Sequence, residues 1–317
     1  MKLKILFYNE IKKILFLIIG LLCIYKIANR VTGTDIDSYI EIYNNTKIYG
    51  IAYLNSRIEP LFVLLFFLSP SRIIAFGVVG FIAIYFKFKS ILNLSYYPFL
   101  SLLYYLMYFF NKDELGRVRI GIAIAIMLYA TIYMEEKKYL FFLLIAFLFH
   151  KSIILYFFVF FLYKKNLKLR EIKIIFFSSL VFCFMDFSKL IYFLTYIPYI
   201  NTTIILYLSD IKRIGFSPIM ISKIFFMLIF LFYYKKLCYY KYFKKIFLIY
   251  LVGNVIYFSF NSVPIIATRG SEVFTCVEFI LLPYLLKISN RLYVKICIFF
   301  IMTSYYLYIS RFYLFNI

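Results

Sequence analysis

Long, uninterrupted apolar runs constrain this chain more than any other feature. They lie near 11–29, 72–87, 94–110, 119–134, 172–188, 217–234, 246–262, 272–287 and 296–313. A helix needs about 20 apolar residues to cross the hydrocarbon core, or somewhat fewer where long basic side chains at its ends reach back to the headgroups. The runs are continuous and do not alternate, so strands of a membrane barrel do not fit them; helices satisfy every backbone polar group within the segment. With 65% hydrophobic and only 16% charged residues, little sequence is left for a water-soluble domain. The expected fold class is an all-α polytopic integral membrane protein, a single transmembrane helical domain over 1–317 with about nine to twelve transmembrane or re-entrant helices.

The formal charge of +22 is spread in short Lys/Arg clusters between the apolar runs. No basic patch sits on a polar domain, which argues against nucleic acid and leaves membrane lipids as the partner of these clusters. The positive-inside bias places the N-terminus in the cytoplasm with Lys12/Lys13, and with it Lys87/Lys89, Lys137/Lys138 and the basic stretches at 164–173, 235–245 and 287–295. The first run lacks a small-x-small cleavage site and continues into Asn29 and Arg30, so it is expected to remain as an uncleaved first span. The outward loops are then 30–60, 111–118, 201–216 and 263–271. Segment 139–163 has basic flanks on both sides, and a broken pair of short helices meeting at His150-Lys151-Ser152 is expected there rather than one crossing. Glu59-Pro60 opens a further short helix over 61–68. The five cysteines have no metal-ligand spacing. Neither a metal nor a cofactor is expected.

Most of the unusual chemistry falls in the outward loops. Gly33-Thr34-Asp35-Ile36-Asp37-Ser38-Tyr39 is an acidic turn that suits a divalent cation, a general base for a sugar hydroxyl, or simply a turn and helix cap. Glu59 stands where it caps the next helix or joins a site. Arg117 and Arg119 at a helix start oppose the macrodipole, so a bound anion would relieve them; the alternative is neutralisation by Asp113 and Glu114 in a surface cluster. His150 is the only histidine, set deep in an apolar stretch, and either works chemically or steadies a helix break. Arg269 and Glu272 lie one helical turn apart before a late span, as a site or as a plain ion pair.

In order, Gly33-x-Asp35-x-x-x-Tyr39, Glu59-Pro60, Arg119-x-x-Ile122-Ala123, His150-x-Ser152 and Arg269 resemble the EpsG-like branch of polysaccharide polymerases, which includes O-antigen polymerases of the Wzy type. Ile120 departs from the glutamine often found after the arginine. The resemblance implies a multi-pass glycosyltransferase of the bacterial inner membrane that joins undecaprenyl-diphosphate-linked repeat units at the periplasmic face, with a chain-length regulator as a possible partner. Arg119 and Arg269 would hold the diphosphate; Asp35, Asp37 or Glu59 would take the proton of the attacking hydroxyl; His150 would shape the pocket. Tyr39, Arg57, Arg117, Ser152 and Glu272 are the expected substrate-binding residues. The rival readings are a lipid-linked oligosaccharide flippase or other transporter, a membrane O-acyltransferase centred on His150, and a non-catalytic assembly subunit.

Overall fold

The apolar runs wind into helices, and every regular element among the described residues is helical. The computed structural model describes residues 2–31, 33, 35–55, 58–187, 215 and 217–314. Their contacts divide into two compact units, residues 1–154 with 310–317, and residues 155–309.

The first unit contains α1 (Lys2–Ala28), α2 (Ile36–Tyr49), α3 (Pro60–Leu68), α4 (Arg72–Leu94), α5 (Pro98–Tyr104), a π-helix over Tyr105–Gly116, α6 (Val118–Ala130) and α7 (Lys138–Phe149). A helix that is apolar on all sides must be enclosed by others. Helix α6, VRIGIAIAIMLYA, is such a helix, with nearly every residue buried. It packs against α4, α7 and the π-helix, while α1 lies on α4. Ser71 caps α4 by accepting the Ile74 N–H, and Pro60 takes the first position of α3, where its missing donor does no harm.

In the second unit α8 (Tyr156–Lys164), α9 (Leu169–Phe182), α10 (Pro218–Phe232) and α11 (Phe243–Ser259) are followed by a π-turn over Ile266–Gly270, short helices at Ser271–Thr275 and Glu278–Leu281, and α12 (Leu292–Leu314). Helix α11 is the enclosed one here. It contacts α8, α9, the π-turn and the short helices that follow. The Tyr156 hydroxyl donates to the Val273 carbonyl at 2.7 Å, tying α8 to the short helix after the π-turn.

Outer faces are apolar. Leu17 and Leu22 on α1, Phe81 on α4, Phe141 and Leu144 on α7, Phe161 on α8, Phe232 at the end of α10 and Phe300 on α12 are all exposed. Two described helical segments, Arg72–Leu94 and Leu292–Arg311, are long and apolar enough to cross a bilayer. Three other apolar segments are divided in ways that apolar content alone does not reveal, whereas 11–28 lies within the continuous α1 and 246–259 within the continuous α11. The run at 94–110 changes from α to π winding, 139–163 breaks at His150 as expected, and 272–287 is two short helices and a 3₁₀ turn.

Two expected loops are corrected. Segment 30–60 holds α2, whose Ile36, Tyr39, Ile42 and Thr46 recur at three- and four-residue spacing and bury one face. Segment 111–118 continues a π-helix, with Lys112, Asp113 and Glu114 buried, so it is not a solvated loop.

Candidate functional site

Proline disfavours helical backbone in the residue before it. Glu59 accordingly is extended at φ −64° and ψ 134°, and its carboxylate makes no cap bond to α3. It reaches α6 instead: Glu59 Oε2 accepts from Arg119 Nη1 at 2.9 Å, and Oε1 takes a long contact of 3.5 Å from the Lys151 N–H. The carboxylate is 7% exposed and the guanidinium side chain 30%. The anion that the sequence demands beside Arg119 is thus supplied from within, by Glu59.

Arg119 is the second residue of α6, where a backbone N–H has no partner inside the helix. That N–H points at the hydroxyl of Tyr39 at 3.5 Å, and the Arg119 guanidinium lies 5.8 Å from the Tyr39 ring centre. Tyr39 is buried on α2.

His150 follows the last residue of α7 with extended backbone, φ −160° and ψ 119°. Its Nδ1 lies 2.7 Å from Ser152 Oγ and accepts the Ser152 N–H at 3.3 Å. An accepting Nδ1 leaves Nε2–H as the donor of the neutral ring. Lys151, between them, is the residue whose N–H approaches Glu59. Glu59, Arg119, Tyr39, His150 and Ser152, spread over more than a hundred residues of sequence, therefore belong to one neighbourhood of the first unit.

The alternative reading, neutralisation of both arginines by Asp113 and Glu114 in a surface cluster, holds only in part. Arg117 Nη2 pairs with Asp113 Oδ1 at 3.3 Å, but Glu114 faces Lys87, whose Nζ is 3.4 Å from Glu114 Oε1 and 3.8 Å from Asp113 Oδ2. Lys87, Asp113 and Glu114 are 0%, 2% and 1% exposed, so this is a buried charge cluster. Lys87 is not a headgroup-facing topology lysine, because its ammonium is enclosed by protein. Gly121 lets α6 approach this layer: a Cβ there would stand 2.8 Å from the Asp113 carbonyl oxygen.

Other expected site residues lie elsewhere. Asp35 holds the N-cap position of α2, half-buried and without a side-chain cap bond, and Asp37 in the first turn is exposed. Arg269 is exposed on the π-turn of the second unit, with half-buried Glu272 in the helix that follows. Arg57 and most of the 201–216 loop fall outside the described residues.

Two features escaped the sequence. Arg30, read as the end of the first run, is buried at 7% exposure, with its guanidinium 5.1 Å from the Tyr39 ring centre and 4.5 Å from that of Phe76. In the second unit Lys223 Nζ meets Glu278 Oε1 at 3.3 Å, and the Tyr305 hydroxyl donates to Glu278 Oε2 at 3.1 Å, all buried. Isolated charges inside apolar runs, as in Met-Ile-Ser-Lys-Ile-Phe and Cys-Val-Glu-Phe-Ile, were the available signal for that pair.

No curated protein and no solved structure matches the chain. The model of the EpsG family matches residues 13–316, nearly the whole sequence. With that coverage, and with the ordered motifs from Gly33 to Arg269 inside it, the chain belongs to the EpsG family, whose members are polysaccharide polymerase-like membrane proteins.

Proposed function

We propose that this protein is a polytopic glycosyltransferase of the bacterial inner membrane that polymerises undecaprenyl-diphosphate-linked repeat units, of the O-antigen kind, at the periplasmic face. The observation that carries the reading is the Glu59–Arg119 pair: a buried carboxylate against a partly exposed guanidinium at a helix start, beside His150 and Tyr39. Family membership supports this reaction class, and the exposed apolar faces of α1, α4, α7, α8 and α12 support lipid as the surrounding solvent.

In the reaction a hydroxyl of the acceptor sugar attacks the anomeric carbon of the donor. The new glycosidic C–O bond forms as the bond from that carbon to the diphosphate oxygen breaks, and the bonding pair leaves with the lipid diphosphate. Arg119, which is always charged and presents a planar fork of donors, binds the phosphate and stabilises the charge that develops there. When Arg119 turns to the diphosphate it releases Glu59, whose oxygens then take the proton of the attacking hydroxyl. Glu59 is favoured over Asp35 and Asp37 because it is the carboxylate in contact with Arg119. His150, held by Ser152, offers Nε2–H to the acceptor sugar. Arg269, exposed on its own π-turn, is proposed as a separate anion contact.

The test is deletion in the native host, with complementation by wild type, Glu59→Gln, Arg119→Ala or Arg269→Ala at matched protein levels and electrophoresis of the surface polysaccharide. Deletion is expected to leave a single repeat unit on the lipid core, with the ladder restored by wild type and by none of the three variants. Loss of the single-unit band as well would mean that a step before polymerisation, such as flipping, had failed, and would overturn the reading.

A further inference from the structure

Arg30 holds a buried guanidinium that the fold only partly satisfies. Its Nη1 donates to the Leu115 carbonyl at 2.8 Å, while Nε and Nη2 are buried with no hydrogen-bond partner among the described residues. No ion pair reaches it among those residues either. Two aromatic faces flank it, Phe76 and Tyr39. Leaving two N–H groups of a charged side chain unmatched in a buried place is unfavourable, and in native structures such groups call for a partner such as an ordered water, an ion or a ligand. Burial pushes the Arg30 guanidinium down to about 10, against the opposing pull of Tyr39 and of the Asp35 carboxylate.

The surroundings identify the anion. Tyr39 is near two arginines, since the Arg30 and Arg119 guanidinium carbons are 5.1 and 5.8 Å from its ring centre. Arg119 already has Glu59 in direct contact, whereas among the described residues no carboxylate forms an ion pair with Arg30, Asp35 acting on it only from a distance. The local backbone is built to bring this arginine in. Gly33, three residues on, has φ +149°, and a Cβ there would stand 2.6 Å from the oxygen of Leu115, the residue that Arg30 holds.

We propose that Arg30 is a second anion-binding residue of the first unit, its free Nε and Nη2 taking one phosphate of a lipid-linked diphosphate beside Arg119. This rests on the polymerase reading and assigns its diphosphate a specific second contact. A planar guanidinium offering two adjacent donors matches two oxygens of one phosphate, a match that an ammonium cannot reproduce.

The test is thermal unfolding and binding of the purified full-length protein in detergent, with undecaprenyl diphosphate as probe and undecaprenol as control. Wild type is expected to be stabilised by the diphosphate and not by the alcohol. Arg30→Met, which fills the space between the two rings without a charge, is expected to unfold at the same or a higher temperature without ligand and to bind the diphosphate about tenfold or more weakly. Should Arg30→Met fail to fold, Arg30→Lys decides: weaker binding supports the assignment, and wild-type affinity overturns it. Full affinity in a folded Arg30→Met with loss in Arg119→Ala overturns Arg30 and leaves the reading in place. Absence of any stabilisation of wild type by the diphosphate overturns the reading itself.

Discussion

Arg119 and Glu59 touch each other, so a loss of activity on replacing either has two explanations, a broken ion pair or a missing chemical group. The exchange Glu59→Arg with Arg119→Glu separates them. A purely structural pair would tolerate reversal, whereas a guanidinium that must meet phosphate at the start of α6 would not. We expect Arg119→Ala to lower the polymerisation rate by about 10²–10³-fold, as removal of one donor to a developing negative charge does. The reversed pair is expected to express and to stay inactive; recovery of the ladder would reduce the pair to scaffolding. Lys87 has the opposite character. It faces Asp113 and Glu114 in a fully buried place, so Lys87→Met leaves Glu114 without its cation, Asp113 keeping Arg117, and is expected to destabilise the protein by about 3–5 kcal/mol. Lys87→Met with Glu114→Gln should recover part of that loss in thermal unfolding, and no recovery would mean that the cluster is not the cause. The sequence exposed Glu59 and Arg119 because each stands at a helix start with an unmet electrostatic need. It concealed Arg30 and Lys87, since the need of a basic residue near the end of an apolar run is visible only once burial has removed its access to water or headgroups.

Elements place these residues, and the π-helix over Tyr105–Gly116 does so most directly. Wider winding than an α-helix brings Asp113 and Glu114 to Lys87 and ends at Arg117, one residue before α6 begins. Such winding in native proteins gathers at functional sites. Helix α6 can start there only because residue 121 has no side chain, given the 2.8 Å that would separate a Cβ from the Asp113 oxygen. Gly121→Ala is therefore expected to push the first turn of α6 off the π-helix, lowering stability by about 1–3 kcal/mol and moving Arg119 away from Glu59. Polymerisation should fall more than stability does, and an alanine variant with full activity would show that the register of α6 is not critical. Gly121 is visible in the sequence, but the close approach it permits is not, because the opposing segment at Asp113 is known only from the fold. Helix α2 was hidden for a related reason: its polar face, with Asp37, Glu41, Asn44 and Lys47, resembles a loop unless the spacing of Ile36, Tyr39, Ile42 and Thr46 is followed.

At the scale of the molecule, the all-helical class follows from apolar content, while the division of that content into crossings does not, because His150 and the α-to-π change interrupt helices without any proline. Orientation is set by length and charge. Helix α6 has 13 residues and the 3₁₀ turn Thr131–Tyr133 three more, which together extend roughly 26 Å at about 1.5 and 2.0 Å per residue. That length is close to the hydrocarbon thickness of about 27–30 Å. On the proposed topology the segment would carry the chain from Arg117, near the Glu59 site, to the exposed cluster at Glu135, Glu136, Lys137 and Lys138 on the other side. Basic residues favour the cytoplasm, so the proposed topology predicts that the Glu59 site faces the periplasm. A variant with all five cysteines replaced and one returned at Asp37 or at Lys137, both exposed positions, tests this in spheroplasts with a membrane-impermeant maleimide. The residue-37 cysteine is expected to label before lysis and the residue-137 cysteine only after it. Protection of residue 37 with labelling of residue 137 would invert the protein and remove the lipid-linked donor from reach of Arg119. Equal labelling of both before lysis would mean that α6 does not cross at all.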